Sequence, residues 1–240
     1  MIYVKGGARM SEACHHLNHE GKQLCVSKVP FFNHLSMEEM LKIVEMSRSR
    51  TFNKGDTIYH IGDPLHALYL VHKGRVKIYQ LFESGKEHLL RILEPGEFMG
   101  ELALFSEKRI DSYAEALENT EICAIHRDDM QALMQKQPSI AVKILEQFSQ
   151  RLEKTEKLVG QLSSNDVETR IASYLVDLAE EKNHLEIQLP MSKKDLASYL
   201  GTTQETMSRR LASFQNKGWI EQEGHRHIKI LNMDALLDLS

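Results

Sequence analysis

Residues 191–214, MSKKDLASYLGTTQETMSRRLASF, decide how the rest of this chain is interpreted. The stretch predicts two short helices joined by a tight turn. Ser192 is the predicted N-cap of the first helix, with Asp195 three residues later as its partner. Thr202 is the predicted N-cap of the second helix, with Glu205 in the corresponding place. The spacing therefore favours a helix-turn-helix.

The second helix has two different faces. Its apolar residues recur at intervals of four and three residues and are predicted to face inward: Met207, Leu211 and Phe214. Glu205, Ser208 and Arg209 then lie on the opposite side, near the helix N-terminus, where a DNA-reading helix offers its side chains. Glu accepts from cytosine N4, and Arg donates two bonds to guanine. An ordinary helix pair with a solvated charged face remains the alternative.

The residues that follow favour DNA binding. Gly218 ends the second helix, and WIEQ and HIKIL predict two short strands around EGHR, as in a winged helix. Residues 191–230 contain seven Lys and Arg against four Asp and Glu, although the whole chain carries a net charge of −4. A locally basic segment in an acidic chain is typical of a nucleic-acid interface.

The composition of the whole chain limits the class of protein that it can be. The chain has 240 residues, of which 42% are hydrophobic and 27% charged, as in a globular protein of one or two domains. It contains neither an apolar run of membrane-spanning length nor a signal-peptide h-region, so we expect a cytoplasmic protein. Met10 is an alternative start to Met1. No nucleophile–base, phosphate-loop or metal-hydrolase motif occurs, so an enzyme is not expected.

The N-terminal half divides into three predicted segments. In residues 11–35, Cys14 and Cys25 bracket three histidines, which are His15, His16 and His19. This spacing matches no standard zinc site, and a solvated polar tail is the alternative. Residues 36–50 predict an amphipathic helix. From residue 52 to about 127, short strand-like runs alternate with turn glycines, which predicts an antiparallel barrel or roll that is either scaffold or a ligand pocket.

Helices follow the predicted roll, first at residues 128–137 and then from Pro138 to about Leu162. The longer one carries an apolar stripe with one polar break: Ile140, Ile144, Phe148, Leu152, Thr155, Val159 and Leu162. Its length and charged flanks favour a dimer seam over packing within its own domain. Ser163–Asn165 is a predicted hinge before a helix at 166–182. The predicted fold class is α+β, with segments 1–35, 36–137, 138–163 and 164–240.

This order of elements resembles the CRP/FNR superfamily of bacterial transcription regulators over nearly the whole chain. KGDTIYHIGDP, LYLVHKGRVKIY and EPGEFMGELALF are similar to the glycine framework of the family's β-roll, which also binds cyclic nucleotides in some members. ETMSR, at residues 205–209, is similar to the FNR branch. The resemblance implies a homodimer that binds double-stranded DNA at TTGAT-like inverted repeats and contacts RNA polymerase.

By the same resemblance, Glu205, Ser208 and Arg209 would read bases. A wider set would contact phosphates: Thr203, Lys193, Lys194, Arg210, Lys217, Arg226 and Lys229. Members that bind cyclic nucleotides use a Gly-Glu pair, matched here by Gly100 and Glu101, and then an Arg-Ser pair. The second pair reads Asp111-Ser112 here, and an Asp would repel a cyclic phosphate. The nearby Arg109 lies two positions before the place of the arginine in that pair. No cyclic nucleotide is therefore expected, and Gly100 and Glu101 are interpreted as retained framework.

The FNR branch senses oxygen or redox state through cysteines. By resemblance, Cys123 stands where the roll cysteine of that branch stands, Cys25 resembles its last N-terminal ligand, and Cys14 an upstream one. The branch supplies four cysteines and this chain has three. A [4Fe–4S] cluster would therefore need a fourth ligand, which His15, His16 or His19 would supply.

Several alternatives stay open at these cysteines. The related FLP proteins use a reversible cysteine pair without a cofactor, and two of the three cysteines here could form such a regulatory disulfide. Zinc bound by Cys and His is a third reading. Cys123 could also be a small buried residue without a redox role. A regulator that binds a small-molecule effector in the β-roll is the remaining alternative.

Overall fold

The computed structural model of the chain describes residues 25–83, 85, 87–107, 109–164 and 166–239, with the backbone alone described at Cys25 and Ser164. The chain forms two compact units. The first comprises the described residues up to Gln80 together with Arg91–Arg151, and the second comprises Leu81–Leu90 and Leu152–Ser240. The division falls within the long helix, whereas the sequence predicts the hinge at Ser163–Asn165.

Eight strands form two antiparallel four-stranded sheets, in the orders β1-β8-β3-β6 and β2-β7-β4-β5. The strands are β1 (Ser47–Phe52), β2 (Thr57–Tyr59), β3 (Ala67–Lys73), β4 (Val76–Leu81), β5 (Glu87–Leu93), β6 (Phe98–Met99), β7 (Tyr113–Ala116) and β8 (Thr120–His126). Buried apolar residues of β3, β4, β7 and β8 form a core between the sheets. The predicted antiparallel roll is confirmed.

The helix predicted at residues 36–50 is shorter than expected. Helix α1 spans Met37–Met46, and Ser36 and Glu39 form the predicted capping box at its start. At Ser47 the backbone turns to an extended conformation, and the Ser47 hydroxyl donates to the Val44 carbonyl oxygen at 2.8 Å. Residues 47–52 then pair with β8 over six positions, because alternate burial suits a strand there.

Within the described residues, four further helices belong wholly or partly to the first unit. Two short 3₁₀ helices span Cys25–Lys28 and Glu101–Leu104, α2 spans Arg127–Lys136, and α3 spans Pro138–Ser164. The first 3₁₀ helix, α1, α2 and the start of α3 contribute to one buried cluster with β3 and β8, whose largest members are three phenylalanines: Phe31, Phe32 and Phe98. Residues that precede the roll in the chain and residues that follow it thus share one core.

The apolar stripe of α3 is buried at its start and more exposed further along. Ile140 and Ile144 are fully buried in the roll core, and Phe148 packs against the same cluster. Further along, Leu152 and Val159 have 59% and 56% of their surface exposed. Packing within the domain therefore accounts for the first half of the predicted seam, whereas Leu152 and Val159 in the second half are not covered by the described residues.

The second unit contains a three-stranded sheet with four helices besides the end of α3. These elements are α4 (Val167–Lys182), β9 (Glu186–Gln188), α5 (Lys193–Tyr199), α6 (Gln204–Asn216), β10 (Ile220–Glu223), β11 (His227–Ile230) and α7 (Met233–Leu237). The sheet order is β10-β11-β9. The predicted winged helix is confirmed, and β9 is an element that the sequence analysis missed because its three residues are too short for a periodic signal.

The turn between α5 and α6 differs from the prediction by one residue. Gly201 has φ of 64°, its N–H donates to the Ser198 carbonyl oxygen, and the Thr202 N–H donates to that of Ala197. These two bonds form a Schellman motif, which uses Thr202 to end α5. The hydroxyl of Thr203 therefore caps α6 and accepts from the Thr206 N–H at 3.2 Å. Ser192 caps α5 as predicted.

Candidate nucleic-acid interface and sensor residues

Helix α6 presents the predicted base-reading residues to solvent. Met207, Leu211 and Phe214 are completely buried beneath it, as the sequence predicts. Glu205 and Arg209 lie four residues apart on the opposite, exposed face. Arg209 Nη2 donates to the Thr206 hydroxyl at 3.2 Å, which limits the directions that the guanidinium can take.

One flank of α6 is tied to α4 through Glu168. Its Oε2 atom accepts from Arg210 Nη1 at 2.8 Å, and its Oε1 atom accepts from Lys217 Nζ at 3.1 Å. Lys217 Nζ also lies 4.3 Å from the centre of the Trp219 ring. The sequence analysis missed Glu168, because no spacing rule connects a residue of α4 with cations more than forty positions away.

The other flank of α6 is tied to the wing. Gln215 Oε1 accepts from both the backbone N–H and the side-chain amide of Gln222, at 3.2 and 3.1 Å. Gln222 Oε1 in turn accepts from Lys193 Nζ at 2.7 Å. Helix α6 is therefore held from both sides by side-chain hydrogen bonds, and Lys193 participates in one of these networks.

Most residues proposed for phosphate contact already have partners within the chain. The Thr203 hydroxyl caps α6, and Lys193, Arg210 and Lys217 make the contacts described above. Lys229 Nζ forms an ion pair with Glu186 at 3.0 Å. Within the part of the chain that the structure describes, Lys194 and Arg226 form no ion pair. These two cations are the least restrained members of the predicted set.

The roll turn at Gly100 is built around a charged cluster. Glu101 Oε1 accepts from Arg151 Nη1 of α3 at 2.7 Å and from Arg91 Nη2 of β5 at 3.1 Å. The Arg151 guanidinium lies 3.8 Å from the centre of the Phe98 ring. Burial, followed by the nearby positive charge of Arg91, lowers the pKa of Arg151. The Glu101 carboxylate is thus engaged by two arginines that the sequence analysis did not single out.

The other residues considered for a cyclic-nucleotide site, Asp111, Ser112 and Arg109, make contacts within the chain. Ser112 is buried and makes a hydrogen bond with Tyr59, whose pKa is raised to about 12 chiefly by burial. Asp111 is exposed, and its backbone carbonyl accepts from the Gln80 amide. Arg109 Nη1 donates to the Gly62 carbonyl oxygen at 2.7 Å in a surface bridge between chain segments. Arg109 is therefore engaged in a turn contact.

Cys123 lies at the centre of β8 and is completely buried. It is opposite Ser49 of β1 and Leu70 of β3, and it belongs to the same apolar cluster as Val26 and Val29, which follow Cys25. Cys14 and the three histidines lie outside the described residues, as does the side chain of Cys25. Among the side chains that are described, no group of three or more His, Cys, Asp or Glu residues is arranged to hold a metal ion.

Comparisons with known proteins match both units. Residues 49–137 match the cyclic nucleotide-binding domain, and residues 169–239 match the Crp-like helix-turn-helix domain. The chain is 33% identical to the probable transcriptional regulator flp of Lacticaseibacillus casei, over 90% of this chain and 98% of that protein. It is 30% identical to the fumarate and nitrate reduction regulatory protein of Escherichia coli K12, over 91% and 87%.

A solved structure shows the same fold. FixK2 from Bradyrhizobium japonicum superposes with a TM-score of 0.71 over 81% of this chain and 97% of that one, at 24% identity. Across the described residues, no helix is both long enough and apolar enough to cross a membrane.

A β-roll, a long helix and a winged helix with an exposed recognition helix define a class of DNA-binding transcription regulators rather than enzymes. This chain belongs to the CRP/FNR family of that class, and its relatives include FNR and FLP regulators.

Proposed function

We propose that the chain is an FNR-like regulator that binds TTGAT-like inverted repeats as a homodimer and responds to oxygen or redox state. The observation that carries the proposal is the exposed row of Glu205 and Arg209 on a helix whose opposite face is fully buried. Two such helices must contact half-sites about one turn of DNA apart, roughly 34 Å. Contact with RNA polymerase belongs to the same proposal through the family relationship.

Arg209→Ala should weaken binding to a TTGAT-like duplex by roughly 1–3 kcal/mol and relax the choice of base at one position of each half-site. The reason is the loss of a guanidinium that can donate two bonds to guanine. Fluorescence anisotropy with the duplex and its single-base variants measures both effects.

Lys194→Ala is the matched control for this substitution, since it removes a nearby positive charge outside the proposed reading face. It should weaken binding about equally across sequences. An Arg209→Ala protein that keeps the wild-type base preference would contradict the assignment of Arg209 as a base reader.

The proposed sensor combines Cys123 with the N-terminal cysteines. Val26 and Val29 are fully buried in the cluster that contains Cys123, which supports a place for the Cys25 backbone near the roll cysteine. In the first form of the proposal, Cys14, Cys25, Cys123 and one of His15, His16 and His19 hold a [4Fe–4S] cluster. When bound, such a cluster supplies an oxygen-labile centre. The three thiolates and one imidazole would hold the cluster and would thereby tie the N-terminal segment to the roll.

The second form is a cysteine-pair switch, favoured by the presence of only three cysteines in the chain and by the FLP relative. Two of the three thiols would each lose a proton and together give two electrons to dioxygen or a peroxide, forming one S–S bond. Restoring the thiols needs a dithiol reductant, which supplies two electrons and two protons through thiol–disulfide exchange and is itself oxidised to a disulfide. No cofactor is required in this form.

Protein purified without oxygen should distinguish these forms. A cluster predicts broad absorbance near about 400 nm that bleaches in air, with about four irons and matching sulfide per chain. A cysteine pair predicts an iron-free protein that loses two free thiols on oxidation.

Replacing all three cysteines by serine should abolish the response of DNA binding to oxygen in either form, because both need the thiols. The three single Cys→Ser variants serve as comparisons and identify which thiols are required. A triple variant that keeps full oxygen-dependent DNA binding would exclude both forms and leave an effector in the roll.

A further inference from the structure

Glu168 lies in the first turn of α4, and its side chain reaches the recognition helix α6. Its side chain is only 18% exposed, and each carboxylate oxygen accepts from a different cation, Arg210 on α6 or Lys217 just after it. One negative charge is therefore shared by two positive charges, and both cations belong to the set that the sequence suggests for phosphate contact.

Helix geometry separates these cations from the proposed readers. Successive residues of a helix are rotated by about 100°, so Arg210 points well away from its neighbour Arg209. Lys217 follows Arg210 by seven positions, or about two turns, and therefore lies on the same side as Arg210. That side faces α4, whereas Glu205 and Arg209 lie on the exposed face opposite the buried core of α6.

Each cation is restrained at its charged end. Arg210 is bound through Nη1, and Lys217 is held both by Glu168 and by the Trp219 ring. The cations remain 46% and 44% exposed, so these ion pairs add little to folding stability. Their larger consequence is electrostatic, because binding to phosphates is driven by cations that replace counterions.

We propose that Glu168 retains Arg210 and Lys217 for contacts within the protein and so suppresses sequence-independent binding to DNA. The retained cations make no phosphate contact, and the base-reading residues then account for a larger share of the binding free energy. Glu168 thus acts as a positioning residue that sets the specificity ratio. This inference rests on the proposed DNA-binding function.

Salt dependence gives a direct test, because each phosphate contact contributes about 0.9 to the slope of log K against log salt. Binding is measured between about 50 and 200 mM salt, on a TTGAT inverted-repeat duplex and on a random duplex. Arg210→Gln should leave both slopes unchanged. If Arg210 contacts a phosphate, each slope should fall in magnitude by about 0.9 per subunit, which overturns the inference.

Glu168→Gln should steepen both slopes by about 0.9 for each cation that it releases and should raise affinity for the random duplex several-fold. The specificity ratio should fall. In the double variant with Glu168→Gln and Arg210→Gln, the part of the change in slope that comes from the release of Arg210 should disappear.

Glu153→Gln is the matched control, since it makes the same charge change at an exposed site on α3. Equal effects of Glu168→Gln and Glu153→Gln would overturn the inference. Circular dichroism checks the fold of each variant, and the Arg210→Gln measurement decides the matter even if Glu168→Gln unfolds. If the wild-type protein binds neither duplex, the proposed function fails as well; if it binds and only the slopes disagree, the inference alone fails.

Discussion

Replacing Leu152 and Val159 together by glutamate should convert the protein to a monomer and weaken operator binding by roughly 10² or more, through loss of bivalent contact. Both side chains are more than half exposed on α3. Leu145, seven residues before Leu152, is also 60% exposed, so the three continue one stripe at heptad spacing. Burying four carboxylates in the proposed seam would cost more than an apolar contact could offset.

Analytical ultracentrifugation at micromolar concentration measures the first effect, and anisotropy with the inverted-repeat duplex measures the second. Ile61→Glu combined with Leu231→Glu is the matched control, because it makes the same changes at two exposed apolar residues outside α3. A Leu152/Val159 double variant that sediments and binds like the wild type would exclude this stripe as the dimer seam.

Gly100→Ala should destabilise the roll by about 3 kcal/mol or more, through backbone strain combined with overpacking. Gly100 has φ of 82°, and an added Cβ would lie 2.6 Å from the Ala67 carbonyl oxygen and 3.0 Å from Leu65 Cδ2. The substitution would also displace Glu101, the next residue, from its two arginine partners.

Gly62→Ala is a close control, since Gly62 has φ of 86° but nothing within 4 Å of an added Cβ. It should cost about 1 kcal/mol, from backbone strain alone. Urea unfolding followed by circular dichroism measures both losses. The single tryptophan, Trp219, lies in the second unit, so its fluorescence reports that unit separately. Equal losses for the two variants would show that the turn at Gly100 relaxes around the methyl group.

Local patterns were sufficient to predict most elements of the fold. The apolar spacing in α6, the capping pair at Ser192 and the turn glycines of the roll each depend on interactions within a few residues. Because these patterns are local, they also led to two wrong predictions. The strand at Ser47 and the shift of the α6 cap from Thr202 to Thr203 were decided by hydrogen bonds to other segments or to the preceding helix.

Partners of charged residues required the tertiary structure. The sequence identified Arg210 and Lys217 as positive charges near a recognition helix, which suggests phosphate contacts. Only the folded chain places Glu168 between them, and only the folded chain places Arg151 and Arg91 on Glu101. Coulombic pairing depends on distances across the fold, and sequence separation does not limit it.

The sequence alone therefore determined the family, the order of elements and the outward row of Glu205 and Arg209, because these follow from local periodicity and specific motifs. The tertiary structure decided which residues of the α3 stripe are buried and which stay exposed, because burial depends on what packs from elsewhere in the chain. It also decided which cations are already paired and how deeply Cys123 is buried, since ion pairs and burial both arise from contacts between distant segments.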